Sequence, residues 1–363
     1  MTKIVTFGEV MGRIEIEHNY RFSQALPGSA HITFAGAEVN VAASLSILGR
    51  TTQFITALPN NPIAASCISY LLGLNVGADH IQLTDEGRLG LYFLETGANQ
   101  RPSNVLYDRD YSSISIKPPD TYDWDLIFKD ATWFHVSGIT PAISRNTAMA
   151  TIESVKKAKQ HGVRISCDLN YRKKLWNWDS TSSKKELARK TMKEILPFVD
   201  VIIGNEEDAS DVLDIHPKNI DVHAGKLDVN KYIEVAQKVV SFYPSVSYVS
   251  FTLRESISAS HNNWGAMLYD VSSQKAFFSP IENESYNPYE IRNIIDRVGG
   301  GDSFSAGLIY AFTDPELSDP KRAISFATAS SCLSHSIHGD INYSTKEEII
   351  RLMNGNASGR VVR

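Results

Sequence analysis

A doubly wound α/β fold, with a mostly parallel sheet covered by helices on both faces and a small β-sheet lid, is predicted by three features of the sequence. Strand-like and helix-like apolar periods alternate along most of the chain, two short segments break that alternation with period two, and helical sequence closes the chain. Lys3 to Gly8 (KIVTFG) reads as a short buried strand, and Glu38 to Leu48 sets Val39, Ala42, Ala43, Ser46 and Ile47 near one helical face. The pair then recurs: Thr52 to Ala57 before Pro62 to Leu74, Thr132 to Val136 before Arg145 to His161, Val163 to Cys167 before Lys184 to Leu196, and Val199 to Ile203 before Glu206 to Val212. Parallel strands need such crossovers, and helices on both faces explain strands that are apolar throughout. Ser247 to Phe251 is a further strand, followed by Thr252 to Ser256, a polar loop from Ser256 to Asn263 and a strand from Trp264 to Tyr269; helices run from Asp302 onward.

The two interruptions are Arg13 to Glu17 (RIEIE) and Arg88 to Tyr107, which holds LYFLE and SNVLY. Both alternate polar and apolar residues, as strands with one solvent-facing side do, and they predict a lid from segments near 12–34 and 88–117. A single domain over 1–363 is expected, because no repeat, low-complexity tract or linker divides the chain. Asp214 to Asn230 reads as a polar surface excursion, and the tail after Met353 as frayed.

Hydrophobic residues at 42% and charged residues at 21% of 363 describe a globular chain rather than a disordered or fibrous one. A net charge of −5 provides no field to gather nucleic acid or an anionic membrane. Cys67, Cys167 and Cys332 are far apart and make no zinc or disulfide pattern, and the start of the chain lacks the signature of a signal peptide. A cytoplasmic location without nucleic-acid or membrane partners is therefore expected.

The sharpest chemical signal runs from Asp296 to Gly307 (DRVGGGDSFSAG). Gly299, Gly300 and Gly301 let backbone N–H groups converge, and the small-residue run after them reads as a helix whose N-terminus faces the same point. That is a cradle for an oxyanion or phosphate, with Asp302 placed to take a proton from an attacking hydroxyl. The same residues also read as a glycine turn with Asp302 as the helix N-cap. The run is neither a Walker A sequence nor a G-x-G-x-x-G after a strand, which argues against a nicotinamide-dependent oxidoreductase.

This run resembles the C-terminal signature Asp-Thr-x-Gly-Ala-Gly-Asp of the ribokinase-like (PfkB) carbohydrate kinases, with Arg297 in place of Thr and Gly300 in place of Ala. Other landmarks follow in the family's order: Gly36-Ala37-Glu38-x-Asn40-x-Ala42, Asp168-Leu169-Asn170-Tyr171-Arg172 and Asn205-Glu206-Glu207-Asp208. Within the family, Leu91 to Glu95, Arg101-Pro102-Ser103, Tyr107-Asp108-Arg109 and Ile337 to Asn342 are most similar to 2-keto-3-deoxygluconate kinases.

The resemblance implies a ribokinase-like fold and ATP-dependent phosphorylation of a sugar hydroxyl, 2-keto-3-deoxygluconate being the expected substrate. Asp302 would be the base and Gly299, Gly300 and Gly301 the charge-stabilising cradle. Gly36, Asn40, Tyr92, Tyr107, Arg109, Asn170, Arg172 and Asp302 would bind the sugar. Asn205, Thr252, Arg254, Gly299 and Gly301 would meet the nucleotide, and Asn205 and Asp208 would hold Mg²⁺ through water. A monovalent cation and a homodimer through the lid are also compatible with the family. Each residue has a plainer reading: Asn40 as a satisfied amide, Arg172 as a solvated charge, Tyr107 and Arg109 as surface groups, Asn205 as an N-cap, Arg254 as an ion pair with Glu255. His335 and His338 invite a metal but lack a third ligand. Two rivals remain: a kinase for a neutral sugar of the fructose or ribose type, and a catalytically silent sugar-binding protein on the same fold.

Overall fold

Lys3–Phe7 is buried along nearly its whole length and lies inside the main sheet, paired in parallel with Thr51–Ile55 on one side and Trp133–Ser137 on the other. The computed structural model describes residues 2–215 and 229–356. Among these, a ten-stranded sheet runs in the order Lys275–Ser279, His261–Asp270, Tyr248–Ser258, Val201–Gly204, Arg164–Asp168, Trp133–Ser137, Lys3–Phe7, Thr51–Ile55, Val76–Gly77, with Tyr289–Arg292 beside His261–Asp270. The chain thus builds outward from Lys3–Phe7 to one edge, then returns and builds across the other side. Open sheets of this kind collect ligands at the C-terminal ends of the strands where the order reverses.

Side chains alternate across each strand, so the sheet divides its apolar residues between two cores. Val5, Phe134 and Ile202 pack with Val155 of Arg145–Gln160 and Met192 of Lys184–Ile195 on one face. Ile4, Trp133 and Val201 pack with Leu45 of Ala37–Ile47, Leu308 of Gly300–Phe312 and Phe326 of Pro320–Ser334 on the other. Helix starts are set locally: the Ser144 and Ser183 hydroxyls accept from the third backbone N–H of their helices, closing capping boxes. No helix among the described residues is long and apolar enough to cross a membrane.

Two expectations are corrected. Tyr248–Ser258 does not stop at Phe251; it continues through Arg254 and pairs antiparallel with His261–Asp270, so the expected polar loop is part of a β-hairpin. Antiparallel strands outside a parallel core can face water on one side, which is why this stretch carries polar residues. The second correction concerns the interrupting segments, which form a separate four-stranded sheet ordered His31–Ala35, Met11–Glu15, Gly90–Glu95, Asn104–Asp108. The period is as expected but the facing is not, because Arg13 is fully buried against the body while Ile14 lies toward the outside. Ile14 pairs with Ile32 and Phe93, and Phe93 with Leu106, giving an apolar row across the outer face on which Ile32 and Leu106 are exposed. The core of the polar excursion, 216–228, and the tail from 357 lie outside the described residues.

Candidate active site

The helix Gly300–Phe312 starts from Gly299, whose φ of +81° is left-handed and where a Cβ would lie 2.1 Å from the Asp340 carbonyl oxygen. Glycine alone suits that position. At Gly301 a Cβ would meet nothing within 4 Å, so open space lies beside the first turn, whose N–H groups lack partners inside the helix. Asp302 is the third helical residue and not the cap, which corrects the N-cap alternative. Its carboxylate instead accepts a hydrogen bond from Asn40 Nδ2 at 2.7 Å. Burial pushes the Asp302 pKa up to about 7 against the opposing pull of the Asn40 bond. The other end of the Asn40 amide accepts from the Gly36 N–H at 3.2 Å. Gly36 is itself required, since a Cβ there would lie 2.0 Å from the Glu9 carbonyl oxygen.

Two of the residues expected to meet the sugar, Asn170 and Arg172, follow the strand Arg164–Asp168. Asp168 is buried, and burial with the nearby Asp208 and Asp302 holds its pKa well above the usual carboxylate range. Asn170 Nδ2 donates to it at 3.4 Å. Arg172 lines the cleft, is exposed to it, and has no ion-pair partner among the described residues. Arg109 lines the same cleft but is buried and ion-paired with Glu9, and its guanidinium lies 5.5 Å from the centre of the Tyr107 ring. The Tyr92 hydroxyl donates to Asp340 Oδ2 at 2.7 Å. Asn40, Tyr92 and Arg109 therefore already have protein partners, whereas the sequence reading treats all three as groups offered to the sugar.

At the opposite end, Asn205 caps Glu206–Leu213, as its plainer reading supposes. The Asn205 side chain accepts from the Asp208 N–H at 2.9 Å, and Asp208 accepts in return from the Asn205 N–H at 3.2 Å and from the Tyr171 N–H at 2.9 Å. Burial pushes the Asp208 pKa up to about 6. Thr252, Arg254, Trp264 and Arg297 also line this end. The supposed ion pair of Arg254 with Glu255 is not formed; Glu255 accepts from Asn263 Nδ2 at 2.8 Å instead. His335 donates through Nδ1 to the Ser331 carbonyl at 2.8 Å, and no group of three His, Cys, Asp or Glu among the described residues is placed to hold a metal.

All the residues expected to serve catalysis, sugar, nucleotide or Mg²⁺ thus line one cleft of about 750 Å³. The sequence reading gives no site role to Glu9, Glu38, Asp340 or Arg13. Glu38 is buried and accepts from the Ser137 and Thr140 hydroxyls at 2.7 and 2.8 Å, tying its helix to the end of Trp133–Ser137. Arg13 is ion-paired with Asp296, Asp340 and Glu15. Asp296 also accepts from the Val298 N–H at 3.0 Å, so the strand Met11–Glu15, the turn before Gly299 and the Asp340 loop share one buried network. An acid inside an apolar run, as at Glu9 and Glu38, is the one signal that marks such residues in advance.

The profile of the family described as pfkB family carbohydrate kinase matches residues 1–250. A structure of 2-dehydro-3-deoxygluconokinase from Thermotoga maritima is similar at a TM-score of 0.87 and 40% identity, covering 98% of this chain and 100% of that one. A PfkB family carbohydrate kinase from Listeria grayi follows at 0.84 and 32%, covering 97% and 100%. A curated relative, 2-dehydro-3-deoxygalactonokinase of Haloferax volcanii, is 28% identical over 357 residues, 98% of either chain. The profile stops short of the cradle, but these relatives run through it, and on that agreement the chain belongs to the pfkB family of carbohydrate kinases.

Proposed function

We propose that the cleft transfers a phosphoryl group from ATP to a hydroxyl of a sugar acid, with 2-keto-3-deoxygluconate as the substrate. The observation that carries this reading is Arg172, a cation in the same cleft as Asp302 with no carboxylate at ion-pair distance among the described residues. A guanidinium gives a substrate carboxylate two parallel charge-assisted hydrogen bonds, a fit that a neutral sugar does not offer. The relatives from Thermotoga and Haloferax are named for the gluconate and galactonate forms, and both names denote acids that suit this argument. Arg109, neutralised by Glu9, is better suited to hydrogen-bonding hydroxyls.

Asp302 takes the proton of the attacking hydroxyl while Asn40 holds its carboxylate in place. The N–H groups of Gly299, Gly300 and Gly301 stabilise the charge that grows on the transferred group. The open first turn at Gly301 fits a phosphate, and the oxygen-only set of Asn205 and Asp208 fits Mg²⁺ through water, since their side chains are engaged in the cap. Bound Mg²⁺ would supply charge compensation on the phosphates. The four-stranded sheet would act as the lid. Its apolar outer row would pair with the same row of a second copy, as a two-fold interface requires. An ATP-consuming enzyme with three unpaired cysteines suits the cytoplasm.

The test is ATP consumption across a panel of acidic and neutral sugars. Preference for fructose or ribose over 2-keto-3-deoxygluconate would replace this reading with the neutral-sugar rival, and no turnover with any sugar would favour the silent binding protein.

A further inference from the structure

We propose that Arg254 and Arg297, with the indole N–H of Trp264, form a clamp that holds the donor's phosphates against the glycine cradle. The proposal rests on the phosphoryl-transfer reading above. Arg297 stands two residues before Gly299, and its Nη2 donates to Asn262 Oδ1 at 2.7 Å, which fixes the guanidinium from behind. Arg254 projects from the adjoining hairpin strand Tyr248–Ser258. Both line the cleft, and neither has an ion-pair partner among the described residues. The two cations feel each other: burial and then the Arg254 charge hold the Arg297 pKa below the ordinary arginine value. Like charges left without a carboxylate between them are relieved by a multivalent anion.

Trp264 provides an independent sign. It is 4% exposed, lines the same wall, and its Nε1–H has no hydrogen-bond partner among the described residues. A buried donor without an acceptor is costly, and an anionic oxygen satisfies it. Arg254 and Trp264 are register partners across the hairpin, so guanidinium and indole donors stand side by side in the cleft. Such a wall recognises a phosphate chain by its charge and its oxygens.

Inorganic tripolyphosphate is the probe, titrated calorimetrically into the full-length protein and its Arg254→Gln and Arg297→Gln variants, alongside steady-state kinetics with ATP. Each variant should bind tripolyphosphate about tenfold more weakly or worse, the scale of one charge-assisted contact. The KM for ATP should rise in the same proportion while the KM for the sugar stays put. Arg297→Lys, which keeps the charge but loses the fork, should recover part of the loss. A merely structural role for Arg297 would instead move the sugar KM and the thermal midpoint together. If the wild type turns over ATP while both glutamine variants keep tripolyphosphate affinity and ATP KM within about twofold, the clamp is wrong and the kinase stands. If the wild type binds neither ATP nor tripolyphosphate and phosphorylates no sugar, the phosphoryl-transfer reading itself falls.

Discussion

Asp302 must lose its proton before it can accept one, and burial sets its pKa at about 7. Below that pH the group is mostly the neutral acid and idle as a base; above it the carboxylate dominates. The plot of kcat/KM against pH should therefore rise through about 7 and level off, and a profile flat from pH 5.5 to 8.5 would count against Asp302 as base. Asp302→Asn keeps the shape, so turnover should drop by about 10²–10⁴ with little change in ATP affinity, as measured by isothermal titration. Arg172→Lys should raise the KM for the acid sugar far more than for any weakly accepted neutral sugar, narrowing their discrimination by roughly 1–3 kcal/mol. Equal weakening of all sugars would remove the carboxylate role. Asp302 was legible in the sequence because three glycines and an acid stand side by side. Its hydrogen bond to Asn40 was not, since 262 positions separate them and nothing local to Asn40 names that partner.

At the scale of the element, the four-stranded sheet is anchored by a charge in an unusual place. Arg13→Met leaves the buried carboxylates of Asp296 and Asp340 without their cation, and loss of one partner of such a network costs about 3–5 kcal/mol. Burial already raises the Asp340 pKa, so the folded form of the variant favours the protonated acid. The sign follows: the deficit should be smallest below the ordinary carboxylate range and grow as pH rises toward neutrality. Urea denaturation at several pH values measures it, and a deficit that does not vary with pH would show that the lost contact is packing rather than charge. Hydrogen exchange in Met11–Glu15 and Gly90–Glu95 should slow when sugar is added, and unchanged protection at saturation would remove the lid role. Period two revealed these strands, yet it could not say which side faces inward. The usual rule puts the apolar side in; Met11, Tyr92 and Leu94 follow it, and acids from distant parts of the chain draw Arg13 in among them.

Over the whole molecule, the outer row of Ile14, Ile32, Phe93 and Leu106 should make the protein a dimer in sedimentation, and Ile32→Glu with Leu106→Glu should yield monomers. A wild-type monomer at tens of micromolar would end that proposal. The overall architecture was readable because alternating strands and helices leave a periodic trace in every segment. The hairpin through Arg254 was not, since an edge strand with one wet face looks like a loop. The links between the ends of the chain left no trace at all: Arg13 reaches across 327 positions to Asp340. A chain leaves the ribosome from its N-terminus, so Asn40 and Arg13 emerge long before the residues they hold. Until about four-fifths of the polypeptide has been made, the cleft lacks its proposed base and cradle, and Asp340, which binds Arg13, comes later still. Activity thus certifies synthesis: a product cut short before Asp302 lacks both the proposed base and the two helices that cover one face of the sheet.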